Sequence, residues 1–166
     1  MFDMFFPDRY VASTYVIEFE KLYEEGYRGI IFDIDNTLVP HGAPADNRAI
    51  ELFKRLKAIG YRCCLISNNQ EPRVKMFNQE IQVDYIYNAH KPSVKNYKKA
   101  MEIMGTDEDH TLFVGDQLFT DVWGAKRAGI KSILVKPIHP KEEIQIVLKR
   151  YLEKVVLYFY KRSLNQ

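Results

Sequence analysis

The chain has 166 residues, 46% of them hydrophobic and 28% charged, a globular balance that excludes a disordered chain and gives one domain, 1–166, room for a sizeable core. The net charge of +2 hides an asymmetry. Residues 149–166 carry +4, with Glu153 the single acid among Lys149, Arg150, Lys154, Lys161 and Arg162, and the other 148 residues carry −2. Such a tail can meet nucleic acid, meet an anionic membrane face or keep a helix soluble; no nucleic-acid partner is expected.

In chain order, the first 27 residues hold eight aromatics: Phe2, Phe5, Phe6, Tyr10, Tyr15, Phe19, Tyr23 and Tyr27. Residues 29–34 form an apolar run that predicts a strand buried on both faces. In "DNRAIELFKRLKAIG", Asp46 suits an N-cap, Ile50, Phe53, Leu56 and Ile59 make a helical stripe, and Gly60 suits the stop. "RCCLIS" predicts a second strand, Pro72 opens a short helix to about residue 80, and "VDYIYNA" is a third, weaker strand. Pro92-Ser93 opens a helix ended by Gly105; "TLFVG", "TDVWGAKRAG" and "KSILVK" then read as strand, helix and strand. From Pro140 a long helix is expected to about residue 162, carrying Tyr151, Tyr158, Phe159 and Tyr160. Strands alternating with helices at this spacing predict an α/β fold: a parallel sheet of about five strands between two helical layers.

Cys63 and Cys64 are neighbours that would point to opposite faces of a strand, so they are expected as core residues in a reducing compartment. No basic n-region with a long apolar run opens the chain. "IVLKRYLEKVVLYFY" is apolar, but charges at 149, 150, 153 and 154 interrupt it, and no membrane span is expected.

In open parallel sheets, reactive groups collect beyond the carboxyl ends of the strands. Here those positions carry Asp33 and Asp35, then Ser67 and Asn68, then Lys91, then Asp116, with Asp121 a few residues on. Like charges packed together lose solvation and repel, at several kcal/mol per buried charge. A hard divalent cation offsets that cost, and Mg2+ prefers carboxylates, waters and phosphate oxygens.

On these residues the sequence resembles the haloacid dehalogenase (HAD) superfamily of phosphohydrolases. "DIDNT" matches its Asp-x-Asp-x-Thr motif, "LISNN" the Ser/Thr motif, "HKPS" the lysine motif and "GDQLFTD" the terminal acidic motif, in order across residues 30–121. With the aromatic lead-in containing "FFPD", the chain resembles the YqeG branch of type IIIA, related to phosphatidylglycerophosphate phosphatases. The resemblance implies a Rossmann-like three-layer fold and a Mg2+-dependent phosphomonoesterase. It implies Asp33 as nucleophile, forming an aspartyl-phosphate, and Asp35 as acid toward the leaving alkoxide and base toward water. Mg2+ would be held by Asp33, the Asp35 backbone carbonyl and Asp116, with Asp121 a ligand or an outer partner. Ser67 and Lys91 would hold the phosphoryl oxygens.

Other residues have simpler readings. Asn36 and Thr37 are expected to brace the first loop, Asn68 is a phosphate contact or a turn former, and Asp121 also suits a helix cap. His41 reads as a surface group near the site, Arg73 as a possible anion contact and Trp123 as packing.

HAD enzymes choose substrates largely through inserted caps. About 29 residues separate Thr37 from Ser67 and 23 separate Ser67 from Lys91, spans already filled by the predicted elements. An open, capless site favours a phosphate on a large substrate or at a surface. The resemblance points to a phospholipid phosphate; a protein, a nucleic-acid end or a soluble sugar phosphate is the alternative, and a non-catalytic membrane adaptor a third. Leu148, Tyr151, Leu152, Val155 and Phe159 share one side of the last helix beside basic residues, which suits an anionic membrane from the cytoplasmic side. Equally, both aromatic ends could cover the core or join two copies of the chain.

Overall fold

A computed structural model describes residues 2–139 and 144–165. In chain order the main elements are β1 (Arg9–Val11), α1 (Phe19–Glu24), β2 (Gly29–Phe32), α2 (Asn47–Ile59), β3 (Arg62–Ile66), α3 (Glu71–Ile81), β4 (Asp84–Ile86), α4 (Val94–Met104), β5 (Thr111–Gly115), α5 (Trp123–Arg127), β6 (Lys131–Val135) and α6 (Ile144–Leu164). The expected α/β fold is present, with one strand more than the sequence suggested. The sheet runs β1-β6-β5-β2-β3-β4, every pair parallel. The extra strand is β1, three residues of the aromatic lead-in. It was missed because so short an edge strand shows no periodicity; register with β6, Tyr10 opposite Leu134, creates it.

β2 is central, paired with β3 and β5, and buried along its whole length. Alternation sends Ile30 and Phe32 into one core with α2 and α3, and Ile31 into the opposite core with α4 and α5. This two-sided burial is why the strand reads as an unbroken apolar run. Cys64 is buried in the second core and both cysteines are free; burial pushes the Cys64 thiol up to about 12, which makes it inert.

α2 begins as expected, with the Asp46 carboxylate accepting from the Ala49 N–H at 2.8 Å, and ends at Gly60 in the left-handed conformation. Its packed face is turned slightly from the predicted stripe: Ala49, Leu52, Phe53 and Leu56 are buried, and Ile50 and Ile59 flank them. The predicted helix after β5 opens instead as a π-helical turn, Leu118–Val122, before the short α5. The first positions of the expected last helix, 140–143, lie outside the described residues.

The aromatic lead-in has definite protein partners. Phe19 and Leu22 enter the first core, while Phe2, Phe5, Phe6 and Tyr10 surround a third cluster formed by Leu118, Val122, Leu134 and Val156. Phe6 meets Tyr160 edge-on at 5.2 Å and Phe2 lies 5.6 Å from Phe159, so the two ends of the chain pack on each other and hold α6 beside the carboxyl edge of the sheet.

Candidate active site

β2 ends at Phe32 and delivers Asp33; β5 ends at Gly115 and delivers Asp116. Because the two strands are adjacent and in register, Phe32 opposite Val114, their following acids are brought together. The π-helical turn folds Asp121 back beneath them, and its Oδ2 accepts from the backbone N–H groups of Asp116 and Gln117, both at 3.1 Å. Only glycine fits at 115: a Cβ there would stand 2.5 Å from Asp121 Oδ2. One carboxylate oxygen from each of Asp33, Asp116 and Asp121 lies within 4.8 Å of the others, and all three residues are buried.

Lys91 answers this charge. Its Nζ donates to Asp33 Oδ1 at 2.8 Å and to Asp121 Oδ1 at 2.7 Å, and its side chain is 4% exposed. Burial alone would lower the pKa of its ammonium, but Asp121 and Asp33 outweigh that and hold it raised and charged. Burial pushes the Asp33 carboxyl up, against Lys91 and with the help of Asp121 and Asp116; Asp116 is pushed to about 6, chiefly by burial and then by Asp121. Both shifts describe acids packed with too little positive charge. The donor set is hard oxygen throughout, which fits a divalent cation such as Mg2+ and does not fit a soft metal.

Asp35 stands apart from this cluster. Its Oδ1 accepts from the Gly42 N–H at 2.8 Å and from Arg73 Nε and Nη2 at 3.1 and 2.9 Å; its Oδ2 accepts from Asn69 Nδ2 at 2.8 Å. Burial raises this carboxyl, but the Gly42 N–H and the Arg73 guanidinium outweigh it and hold the group below its ordinary value. The Asp35 side chain is thus taken up by protein donors and lies outside the group formed by Asp33, Asp116 and Asp121. Arg73, read from sequence as an anion contact, has Asp35 as its anion. Among the described residues its Nη1 is buried without a hydrogen-bond partner. His41 is largely exposed, 3.9 Å from Asp35.

The other predicted residues divide by what they touch. Ser67 is buried and its Oγ accepts from the Asn69 N–H at 3.0 Å. Asn68 clamps the Lys91 backbone, accepting from its N–H at 2.7 Å and donating to its carbonyl at 3.4 Å. Asn36 braces the first loop against the segment after β6, accepting from the His139 N–H at 3.1 Å. Thr37 does more than brace: its hydroxyl lies 3.2 Å from Asp116 Oδ1 and 3.4 Å from Asp33 Oδ2. Thr14 and Tyr15 of the lead-in hold the same loop through the carbonyls of Thr37 and Leu38, at 2.8 and 2.6 Å.

One part of the site escaped the sequence reading. Arg150 of α6 pairs with Asp116 Oδ2 and also with Glu153 at 3.1 Å, while Glu153 accepts from the Leu118 N–H at 3.0 Å. The available signal was Glu153 itself, a lone acid three residues after an arginine in a basic tail.

Comparison with known proteins agrees with this geometry. The HAD-hydrolase-like family model matches residues 88–143. The chain is 38% identical over 160 residues to "Probable phosphatase YqeG" of Bacillus subtilis, covering 96% of this chain and 93% of that protein. It is 26% identical over 170 residues to "Phosphatidylglycerophosphate phosphatase 1, chloroplastic/mitochondrial" of Arabidopsis thaliana, covering 96% of this chain but 48% of that protein. Among solved structures, the D,D-heptose 1,7-bisphosphate phosphatase from B. bronchiseptica, complexed with magnesium and phosphate, superposes with a TM-score of 0.54 at 18% identity, over 64% of this chain and 79% of that one; it bears on the fold alone. With acids, lysine and hydroxyl at the strand ends where this superfamily carries its chemistry, and a relative this similar along nearly the whole chain, the protein belongs to the HAD superfamily, as a phosphatase of the YqeG branch.

Proposed function

We propose that this phosphatase is a Mg2+-dependent phosphomonoesterase that works through an aspartyl-phosphate on Asp33 and acts on a phospholipid phosphate such as phosphatidylglycerophosphate. The observation that carries the chemistry is the convergence of Asp33, Asp116 and Asp121 around Lys91 at the open carboxyl edge of the sheet. Mg2+, held by Asp33, Asp116 and the Asp35 carbonyl, would supply charge neutralisation for the phosphoryl group. Asp121 is read as the anchor of the Asp116 turn, because its Oδ2 accepts from the two backbone N–H groups, of Asp116 and Gln117, that form that turn.

The Asp33 carboxylate attacks phosphorus as the ester oxygen departs, and Asp35 hands that oxygen a proton. Water then attacks the aspartyl-phosphate, with Asp35 accepting its proton. Arg73, Asn69 and the Gly42 N–H hold Asp35 in place and favour its ionised form, the form needed in the second half. Lys91 and Ser67 flank the position of the phosphoryl oxygens. Positioning and charge neutralisation are most of what phosphoryl transfer asks of a protein.

Three features favour a lipid substrate. No inserted cap covers the site among the described residues. The similarity to a phosphatidylglycerophosphate phosphatase spans 96% of the chain. Beside the site, α6 exposes Leu148, Tyr151, Leu152, Val155, Tyr158 and Phe159, interleaved with exposed Lys149 and Lys154, a face suited to an anionic bilayer. No helix of the described residues is long and apolar enough to cross a membrane.

The test is release of inorganic phosphate from phosphatidylglycerophosphate, glycerol 3-phosphate, a phosphopeptide and a sugar phosphate, with and without Mg2+. Preference for the lipid, dependent on Mg2+, is expected; equal or better turnover of the soluble esters overturns the substrate assignment, and release from none of them overturns the activity. Anionic vesicles are expected to co-float the protein, less so at high salt and not after Tyr151→Glu with Leu152→Glu. Substitution is preferred to deletion, since Val156 and Tyr160 of the same helix are buried.

A further inference from the structure

Each acid of the cluster has one oxygen against a cation of the protein. The Lys91 ammonium sits on Asp33 Oδ1 and Asp121 Oδ1, and the Arg150 guanidinium on Asp116 Oδ2. Of the other three oxygens, Asp121 Oδ2 accepts the two backbone N–H groups of the turn. Asp33 Oδ2 and Asp116 Oδ1 lie 3.4 and 3.2 Å from one neutral group, the Thr37 hydroxyl. The difference decides what a metal ion can use. An oxygen already against an ammonium or a guanidinium would bring two cations to contact distance, whereas a hydroxyl can rotate its proton aside. Asp33 and Asp116 therefore present one oxygen each, and the two meet at Thr37.

The hold on Asp116 comes from α6. Arg150 pairs with the carboxylate through Nη2 and donates to the Asp116 backbone carbonyl through Nη1. A planar fork that grips the side chain and main chain of one residue stops that carboxylate from turning. Glu153 braces the fork, accepting from Arg150 at 3.1 Å and from the Leu118 N–H at 3.0 Å, so the brace is tied to the π-helical turn that follows Asp116.

We infer that Arg150 is a positioning residue that sets which divalent cation the site takes: by occupying Asp116 Oδ2 it confines Asp116 to ligation through one oxygen, which suits Mg2+ and handicaps Ca2+. The inference rests on the Mg2+-dependent phosphomonoesterase reading above. Mg2+ demands a near-ideal octahedron and keeps several waters, so it needs few protein oxygens. Ca2+ takes about six to eight oxygens in a flexible arrangement and readily accepts both oxygens of one carboxylate. With Asp33 Oδ1 held by Lys91 and Asp116 Oδ2 held by Arg150, neither acid can close on an ion with both oxygens. Charge alone gives no such discrimination, because the two ions carry the same charge; the number of oxygens on offer does.

Calorimetric titration of the full chain, freed of metal, with MgCl2 and with CaCl2 gives the ratio of the two Kd values. That ratio cancels the charge of Arg150, which acts on both ions alike, and leaves the oxygen count. Arg150→Met alone would strand Glu153, a buried acid, so it is combined with Glu153→Gln, whose amide oxygen still accepts from the Leu118 N–H. The double variant is expected to shift the ratio toward Ca2+ by at least about tenfold. Glu153→Gln by itself keeps the Arg150–Asp116 pair and should keep the wild-type ratio. Equal tightening of both ions would make Arg150 a counterion only. That result, an unmoved ratio, or the same shift in Glu153→Gln alone would overturn the assignment and leave the phosphatase reading standing. A wild-type chain that binds neither ion would overturn both. The expected ratios in a protein that releases phosphate from no phosphomonoester would overturn that reading and keep the role of Arg150.

Discussion

Lys91→Met is the most informative single change, because it removes the ammonium shared by two buried carboxylates and keeps most of the side-chain volume. The Lys91, Asp33 and Asp121 side chains are 4%, 9% and 1% exposed, so water cannot replace the lost partner. Breaking a buried ion pair from one side costs about 3–5 kcal/mol. At about 2–4 °C per kcal/mol for a chain of this size, the metal-free melting temperature should fall by roughly 6–20 °C. The lower part of that range is favoured, since Asp33 already takes up a proton more readily than an ordinary aspartate and can shed its charge. Adding Asp121→Asn should recover part of the loss, with a coupling of about 0.5–3 kcal/mol, because the amide oxygen can still accept from the N–H groups of Asp116 and Gln117. Scanning calorimetry in EDTA and then in Mg2+ is the assay, and Mg2+ should stabilise the single variant more than the wild type. A metal-free variant melting within about 2 °C of wild type would show that Lys91 is not the counterion of the cluster, and the electrostatic account of the site would fail with it.

Asp33→Asn should abolish turnover while leaving the Lys91–Asp121 pair to hold the fold, and Asp35→Asn should slow it severely; ordinary activity in the first variant would refute the nucleophile assignment. Arg73→Met should lower kcat by about 10²-fold or more, the lower bound for losing general acid–base help, since Asp35 loses the guanidinium that fixes its carboxylate in position. A kcat close to that of wild type would show that Arg73 does not position Asp35. Protons compete with Mg2+ for Asp116, whose carboxyl lies at about 6 in the metal-free fold, so the Mg2+-induced rise in melting temperature should be small near pH 5 and reach its plateau by about pH 7.5. A rise independent of pH over that window would mean that Asp116 does not bind the ion.

The parts of this protein that its sequence determines are those whose physical causes are local. Two-sided burial of β2 forces an unbroken apolar run, Asp46 and Gly60 mark the ends of α2, and each motif follows its own strand, so parallel topology alone carries Asp33, Ser67, Lys91 and Asp116 to one edge. Tertiary structure decided what depends on partners far along the chain. β1 exists only through its pairing with β6, and Asp35 faces Arg73, not Asp116, because α3 places the guanidinium there. Arg150 reaches Asp116 because aromatics from the first ten residues pack α6 against the sheet edge, more than a hundred residues away in sequence. No spacing rule encodes that encounter: it is set by the shape of the packed core and by the need of a buried carboxylate for a cation.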